Sequence, residues 1–170
     1  RGITKEEILK EWKYKADFAC EKGSVFHEYV ENFLTNKLFP FPEHRTTEVL
    51  GGTENMLECK EAVKKLTIMF DDFYKKSFGK LIPVRAELVV GDEKWGVTGM
   101  IDQLFYNEKS NKLEIWDWKT NKAINKHNKW QQFKEPLSHL DVCEINTYSL
   151  QLSFYKLILE RNTDLDIGDC

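Results

Sequence analysis

The sequence predicts an α+β domain, a mostly antiparallel sheet flanked by helices. Three observations carry the prediction. Apolar residues recur at helical spacing from Thr4 to about residue 77. They then alternate along short runs between Val84 and Lys119, and return to helical spacing over about 146–161. The runs of alternation are joined by short glycine or polar turns, which antiparallel neighbours accept and parallel ones do not. A length of 170 residues suits one domain over 1–170, with enough core to need no disulfide. A start at Arg1 rather than Met raises the expectation that this domain is a segment of a longer chain.

The first helix is expected over 4–21. Thr4 is a natural N-cap, Glu6 and Glu7 sit in the first turn, and Thr4 and Glu7 have capping-box spacing. Gly23 reads as its stop and Ser24 as the cap of a second helix over 25–38, with Phe26, Tyr29, Val30, Phe33 and Leu34 as its buried stripe. Pro40, Pro42, Gly51 and Gly52 mark 39–55 as a loop. A third helix follows over 56–77, with Ala62, Val63, Leu66, Phe70, Phe73 and Tyr74 on one face.

Val84, Ala86, Leu88 and Val90 then define a first strand, closed by a turn at Gly91-Asp92. A second strand is expected over 94–106, interrupted by Gly96 and Gly99. The polar turn 107–111 leads to a third over 112–119. The last helix covers 146–161.

Composition narrows the function. A charged fraction of 31% against 41% hydrophobic excludes a disordered tail. No run of about 18 apolar residues is present, so no membrane span is expected. The four cysteines form no CxxC pair, which argues against a zinc ribbon and for reduced thiols in an intracellular, cytoplasmic protein. A net charge of −3 and a pI near 5.9 argue against coating nucleic acid by bulk charge, but leave room for a local basic groove.

The chemistry-bearing residues cluster on the strands. In 112–119, Leu113 and Ile115 face the core, and Asp117 and Lys119 continue that face. An acid and a lysine there need water, a metal or each other to offset desolvation. A salt bridge at a frayed strand end has the same appearance. On the neighbouring strand, Asp102 follows an apolar pair in Gly99-Met100-Ile101-Asp102. Two strand-borne carboxylates one hairpin apart suit a hard divalent cation, Mg²⁺ or Mn²⁺. Alternatively, Asp102 merely starts a turn. Ser24 as N-cap would put His27 in a first helical turn, where the dipole favours a neutral ring, with Glu31 one turn on. Glu87 points away from the Val84/Leu88 face, and a supporting role or a pairing with Arg85 is expected.

Four segments in order carry a family resemblance. Gly23 to Glu31 resembles the GxxxHxxxE segment of RecB-type nuclease domains in the PD-(D/E)XK superfamily. Gly99 to Asp102 resembles their GxxD motif, and Asp117-Trp118-Lys119-Thr120 their DxKT motif. Gln151 to Tyr155 resembles their QxxxY motif. The resemblance spans 23–155 and implies a restriction-endonuclease-like core and a metal-dependent DNA nuclease, with an exonuclease of DNA repair, recombination or phage DNA processing as the expected form. It implies His27, Asp102, Asp117 and the Trp118 carbonyl as metal ligands, and Lys119 as activator of water and stabiliser of phosphate charge. Gln151 and Tyr155 would contact the nucleic-acid backbone or brace the site; Tyr155 as core with Gln151 its polar neighbour is the competing reading. A helicase or recombination partner is implied, with any motor outside this segment, since no phosphate loop is present. The cysteine spacing departs from that of members holding an iron–sulfur cluster, so none is expected. A further strand expected after the last helix must be short or lie beyond residue 170. A module on this fold that binds nucleic acid without cleaving it, and an RNA endonuclease, are the alternatives.

No acidic residue occurs between Trp118 and Lys134, a stretch holding Lys122, Lys126, Lys129 and Trp130. Beside the DxK motif, this basic segment is expected to carry a phosphate backbone, with Trp130 stacking on a base. A solvated loop is the other reading.

Overall fold

The computed structural model describes residues 2–77 and 81–168, and its first helix runs straight through the glycine expected to end it. Helix α1 spans Lys5–Leu34. Its start is as the sequence implies: Thr4 Oγ1 accepts from the Glu7 N–H at 3.2 Å, and Glu7 Oε2 accepts from the Thr4 N–H at 2.7 Å. These hydrogen bonds, the one from the Thr4 backbone first, hold the Glu7 carboxyl below its ordinary pKa. The separate helices expected over 4–21 and 25–38 are one. The reason is energetic. A lone glycine inside a helix costs about 1 kcal/mol. Val25, Phe26, Val30 and Leu34, all buried, each recover roughly 1.5–3 kcal/mol by keeping the helix in register with its core. His27 consequently sits mid-helix, where the N-terminal dipole expected to act on it no longer reaches.

The chain divides into two compact units, Arg1–Gly79 and Lys80–Cys170. In the first, α1 packs with α2 (Glu43–Leu50) and α3 (Thr53–Ser77). Helix α2 replaces most of the expected 39–55 loop. Pro42 stands at its N-cap, where a missing N–H is tolerated, and Gly51 closes it with φ 74°. A buried charge fastens α2 to α1. Glu21, 7% exposed, accepts from the Thr46 hydroxyl at 2.8 Å and from Arg45 Nε at 3.2 Å. Around it lie Val25, Leu50, Cys59 and Val63, with Phe18, Phe39 and Phe41 at the edge. Burial pushes the Cys59 thiol up to about 11, so it is inert packing. Tyr29 donates to Asp71 at 2.7 Å, and burial raises its phenol well above the ordinary range.

The second unit is a three-stranded antiparallel sheet in the order β1 (Leu81–Asp92), β2 (Val97–Asn107), β3 (Lys112–Trp116), with helix α4 (Glu144–Asn162) packed on it. The first turn lies at 93–96 rather than at Gly91-Asp92, and it reverses through Gly96 at φ 64°. Asp92 ends β1 as its anchor. Its carboxylate accepts from the Trp95 N–H at 2.9 Å and from Arg161 Nε at 3.0 Å, and the Trp95 hydrogen bond, above all, lowers its pKa. The third strand stops at Trp116, so Asp117 and Lys119 lie just past it rather than on it. The further strand expected after the last helix is reduced to one parallel bridge, Leu113 to Ile167, with Ile167 buried in the core. That core joins Val90, Ile101, Leu104 and Ile115 to Ile158 and Leu159 of α4. Cys20, Cys59 and Cys143 are free thiols; Cys170 lies outside the described residues. No helix among the described residues is long and apolar enough to cross a membrane.

Helix α4 packs a ring tightly over Gly99 of β2. A Cβ there would lie 2.3 Å from Cε1 of Tyr155. Gly99→Ala should therefore destabilise the protein by about 1–3 kcal/mol, the usual cost of overpacking. Combined with Tyr155→Leu, which removes the opposing ring, most of that cost should vanish. Urea melts of the double-mutant cycle test this, and strictly additive losses would show that the two residues do not meet.

Candidate active site

Strands β1 and β2 set two carboxylates opposite one another. The pairs Ala86↔Gln103 and Leu88↔Ile101 bracket Glu87 and Asp102, which makes them cross-strand neighbours. One carboxylate oxygen of each lies within 4.8 Å of the other, and both residues are half-buried. Glu87 also has φ 47°, the left-handed region, where a side chain costs roughly 1–2 kcal/mol. Backbone strain and a close carboxylate pair thus coincide, and a cation between the oxygens would offset the repulsion of two ionised groups.

The third strand brings its own acid to the same row. Continuing from Gln103↔Trp116 by one step sets Asp117 level with Asp102. The chain is held there by Asp102 itself, whose Oδ2 accepts from the Trp118 N–H at 2.7 Å. Trp118 packs beside Trp116, ring centroids 5.9 Å apart. The Asp117 carboxylate, only 7% exposed, pairs with Lys119 Nζ at 2.6 Å. The desolvation cost that the sequence raises for this acid and lysine is thus met in part by each other. Lys119 Nζ also lies 4.6 Å from the centroid of the Tyr148 ring on α4, a cation–π contact. Tyr148 is fixed in turn, its hydroxyl accepting from Asn121 Nδ2 at 3.1 Å.

Helix α4 supplies the remaining motif residues. Gln151 Nε2 donates to the Tyr155 hydroxyl at 3.0 Å, and Tyr155 packs against the core where Gly99 admits it. This geometry is a brace behind β2. The residues on α1 are in the helical unit: His27 is half-buried with its ring edge-on to Phe26 at 6.4 Å, and Glu31 lies in the last turn. Lys122, Lys126 and Lys129 are exposed, and Trp130 is 94% exposed.

Sequence alone assigns Glu87 a supporting role, and one of its carboxylate oxygens lies within 4.8 Å of one of Asp102. Register is the signal that finds it: with the turn at 93–96, counting back along the hairpin sets 87 opposite 102. Tyr148 carries no local signal at all, because only the return of α4 brings it to Lys119.

An α+β fold with paired strand carboxylates, followed by an acid and a lysine at the end of the third strand, defines a nuclease-type scaffold with a candidate metal site. The chain belongs to the PD-(D/E)XK nuclease superfamily, whose family model matches residues 4–168. Among the described residues, four helices and a three-stranded antiparallel sheet accord with the restriction-endonuclease-like fold. No curated protein and no solved structure matches the chain.

The strained glutamate gives a direct test. Glu87→Gly relieves the left-handed strain and removes one carboxylate of the pair. In chelator its unfolding free energy should rise by about 1 kcal/mol. With divalent metal added, the parent should gain stability and the variant much less. Urea titrations in both conditions read this out. Equal stabilisation of parent and variant by metal would remove Glu87 from the site.

Proposed function

We propose that this domain is a Mg²⁺- or Mn²⁺-dependent deoxyribonuclease of RecB type, acting as an exonuclease in DNA repair, recombination or phage DNA processing. The carrying observation is the Glu87–Asp102 carboxylate pair beside the Asp117–Lys119 ion pair, in a chain that matches the nuclease family almost end to end. The donors suit such an ion. Oxygens within 4.8 Å of one another can both reach a cation that binds its ligands at about 2.0–2.6 Å. Glu87 and Asp102 would hold it, and motif resemblance adds His27, Asp117 and the Trp118 carbonyl.

When bound, the ion supplies charge neutralisation on the phosphate and a more acidic attacking water. The protein groups do the rest. Lys119 keeps a fixed positive charge at the strand end, held by Asp117 and the Tyr148 ring, where charge on a phosphate oxygen would develop. Gln151 and Tyr155 brace β2, which carries Asp102. Glu31 would support His27 from the next turn. Lys122, Lys126, Lys129 and Trp130 would hold the strand of DNA. We take 1–170 as one nuclease domain of a cytoplasmic protein, with a helicase or recombination partner supplying any motor.

Digestion of linear DNA, circular DNA and RNA with each metal tests this. Nucleotides should be released from linear DNA, with circles left intact. Cleavage confined to RNA makes the domain an RNA endonuclease, and DNA binding without cleavage of any substrate makes it an inactive binding module. Lys119→Ala should lower turnover by about 10²–10³-fold, the scale of a lost transition-state contact, while calorimetry shows metal binding retained. Unchanged turnover removes the role given to Lys119.

The basic segment has a separate signature. Neutralising Lys122, Lys126 and Lys129 together should weaken DNA binding and flatten its log–log salt dependence by roughly 0.7–0.9 per lost contact. Metal affinity should stay constant. An unchanged salt slope would mark the segment as a solvated connection.

A further inference from the structure

Beside Lys119 the second unit has an open cleft of about 470 Å³, lined by Asn125, His127, Val142, Cys143, Thr147 and Tyr148, among others. We propose that this cleft is a nucleoside subsite, taking the base and sugar attached to the phosphate that Lys119 faces. The proposal rests on the nuclease reading for the role of Lys119, and on the cleft itself for the rest.

Tyr148 is the link. Its ring lines the cleft and also carries the Lys119 ammonium 4.6 Å from its centroid. A phosphate at Lys119 therefore has its own nucleoside within reach of the cleft. The volume lies within the range of small-ligand sites, roughly 300–1,000 Å³, and suits one nucleoside rather than a duplex.

The walls are built rather than loose. Asn128 Nδ2 donates to the Val142 carbonyl at 2.8 Å, its N–H donates to Asp141 at 3.2 Å, and Asn125 Nδ2 donates to Glu144 at 2.9 Å. These bonds tie the 125–128 segment to the start of α4 and fix two walls of the cleft.

Charge decides which part of a nucleotide enters. Glu144 lines the cleft, and hydrogen bonds keep its carboxylate ionised. An acid there repels phosphate but accepts from the exocyclic amino groups of a base. The phosphate is left on the lysine side, at Lys119 and along the segment holding Lys122 and Lys126. Tyr148 and His127 offer ring faces for stacking, and Thr147 offers a hydroxyl for the base edge or sugar.

The test uses the full chain with dTMP, dAMP, deoxyribose 5-phosphate and inorganic phosphate as probes, followed by NMR and calorimetry in chelator. The two nucleotides should shift Thr147, Tyr148 and His127 resonances and bind at least about tenfold more tightly than deoxyribose 5-phosphate, the scale of one lost stacked base. Thr147→Trp, at an exposed position, should fill the cleft and weaken nucleotide binding at least about tenfold, with melting temperature and Mn²⁺ affinity unchanged. Asn125→Ala, which unties one wall, is the second variant and should weaken the nucleotides selectively. Equal binding of deoxyribose 5-phosphate and dTMP, or dTMP binding untouched by both variants, overturns the subsite. Nucleotide binding in the cleft by a protein that cleaves no nucleic acid supports the subsite and overturns only the nuclease reading.

Discussion

Two carboxylates held against each other are the constraint around which the sheet is organised. One oxygen of each lies within 4.8 Å of the other, and half-burial strengthens any charge interaction there because less water screens it. The sheet holds them by pairing the residues on either side. Ala86↔Gln103 and Leu88↔Ile101 stay in register, with Gln103 and Ile101 almost fully buried, so neither strand can slip without moving a core side chain. The pairing shifts register between Pro83 and Arg85, and past that shift Glu87 is a left-handed residue within an extended strand.

Helix α4 serves that sheet twice, at points two turns apart. At Tyr155 it presses a ring where Gly99 lacks a side chain, fixing the strand that carries Asp102. At Tyr148 it gives the Lys119 ammonium a ring face, fixing the cation past the end of β3. Both contacts place groups of the candidate site, Asp102 by way of its strand and Lys119 directly.

What the sequence disclosed and what it hid follow from the range of the interactions. The capping box at Thr4, the alternation of β1 to β3 and the period of α4 are local, and each is legible within a few residues. Gly23 misled because its cost, about 1 kcal/mol, is smaller than the burial on its far side, a quantity set by tertiary contact. Helix α2 was masked by prolines and glycines that turn out to stand at its ends rather than inside it. Asp102, Asp117 and Lys119 were legible because motifs mark them. Glu87 and Tyr148 were not, because one depends on exact hairpin register and the other on a contact 29 residues away in the sequence, Lys119 to Tyr148.

An acidic chain can still hold a polyanion if its charge is sorted in space. Net charge is −3, yet 119–134 contains lysines and no acid. At physiological salt the Debye length is about 8 Å, so a phosphate on that segment would respond chiefly to the lysines beside it. The acids near the site are themselves committed: Asp117 to Lys119, Glu144 to Asn125, Asp141 to the Asn128 N–H. Asp102 accepts from the Trp118 N–H, and its carboxylate with that of Glu87 forms a pair of hard oxygen donors of the kind a divalent ion takes. A divalent ion held by these oxygens would offset the negative charge that a phosphate near Lys119 would otherwise meet.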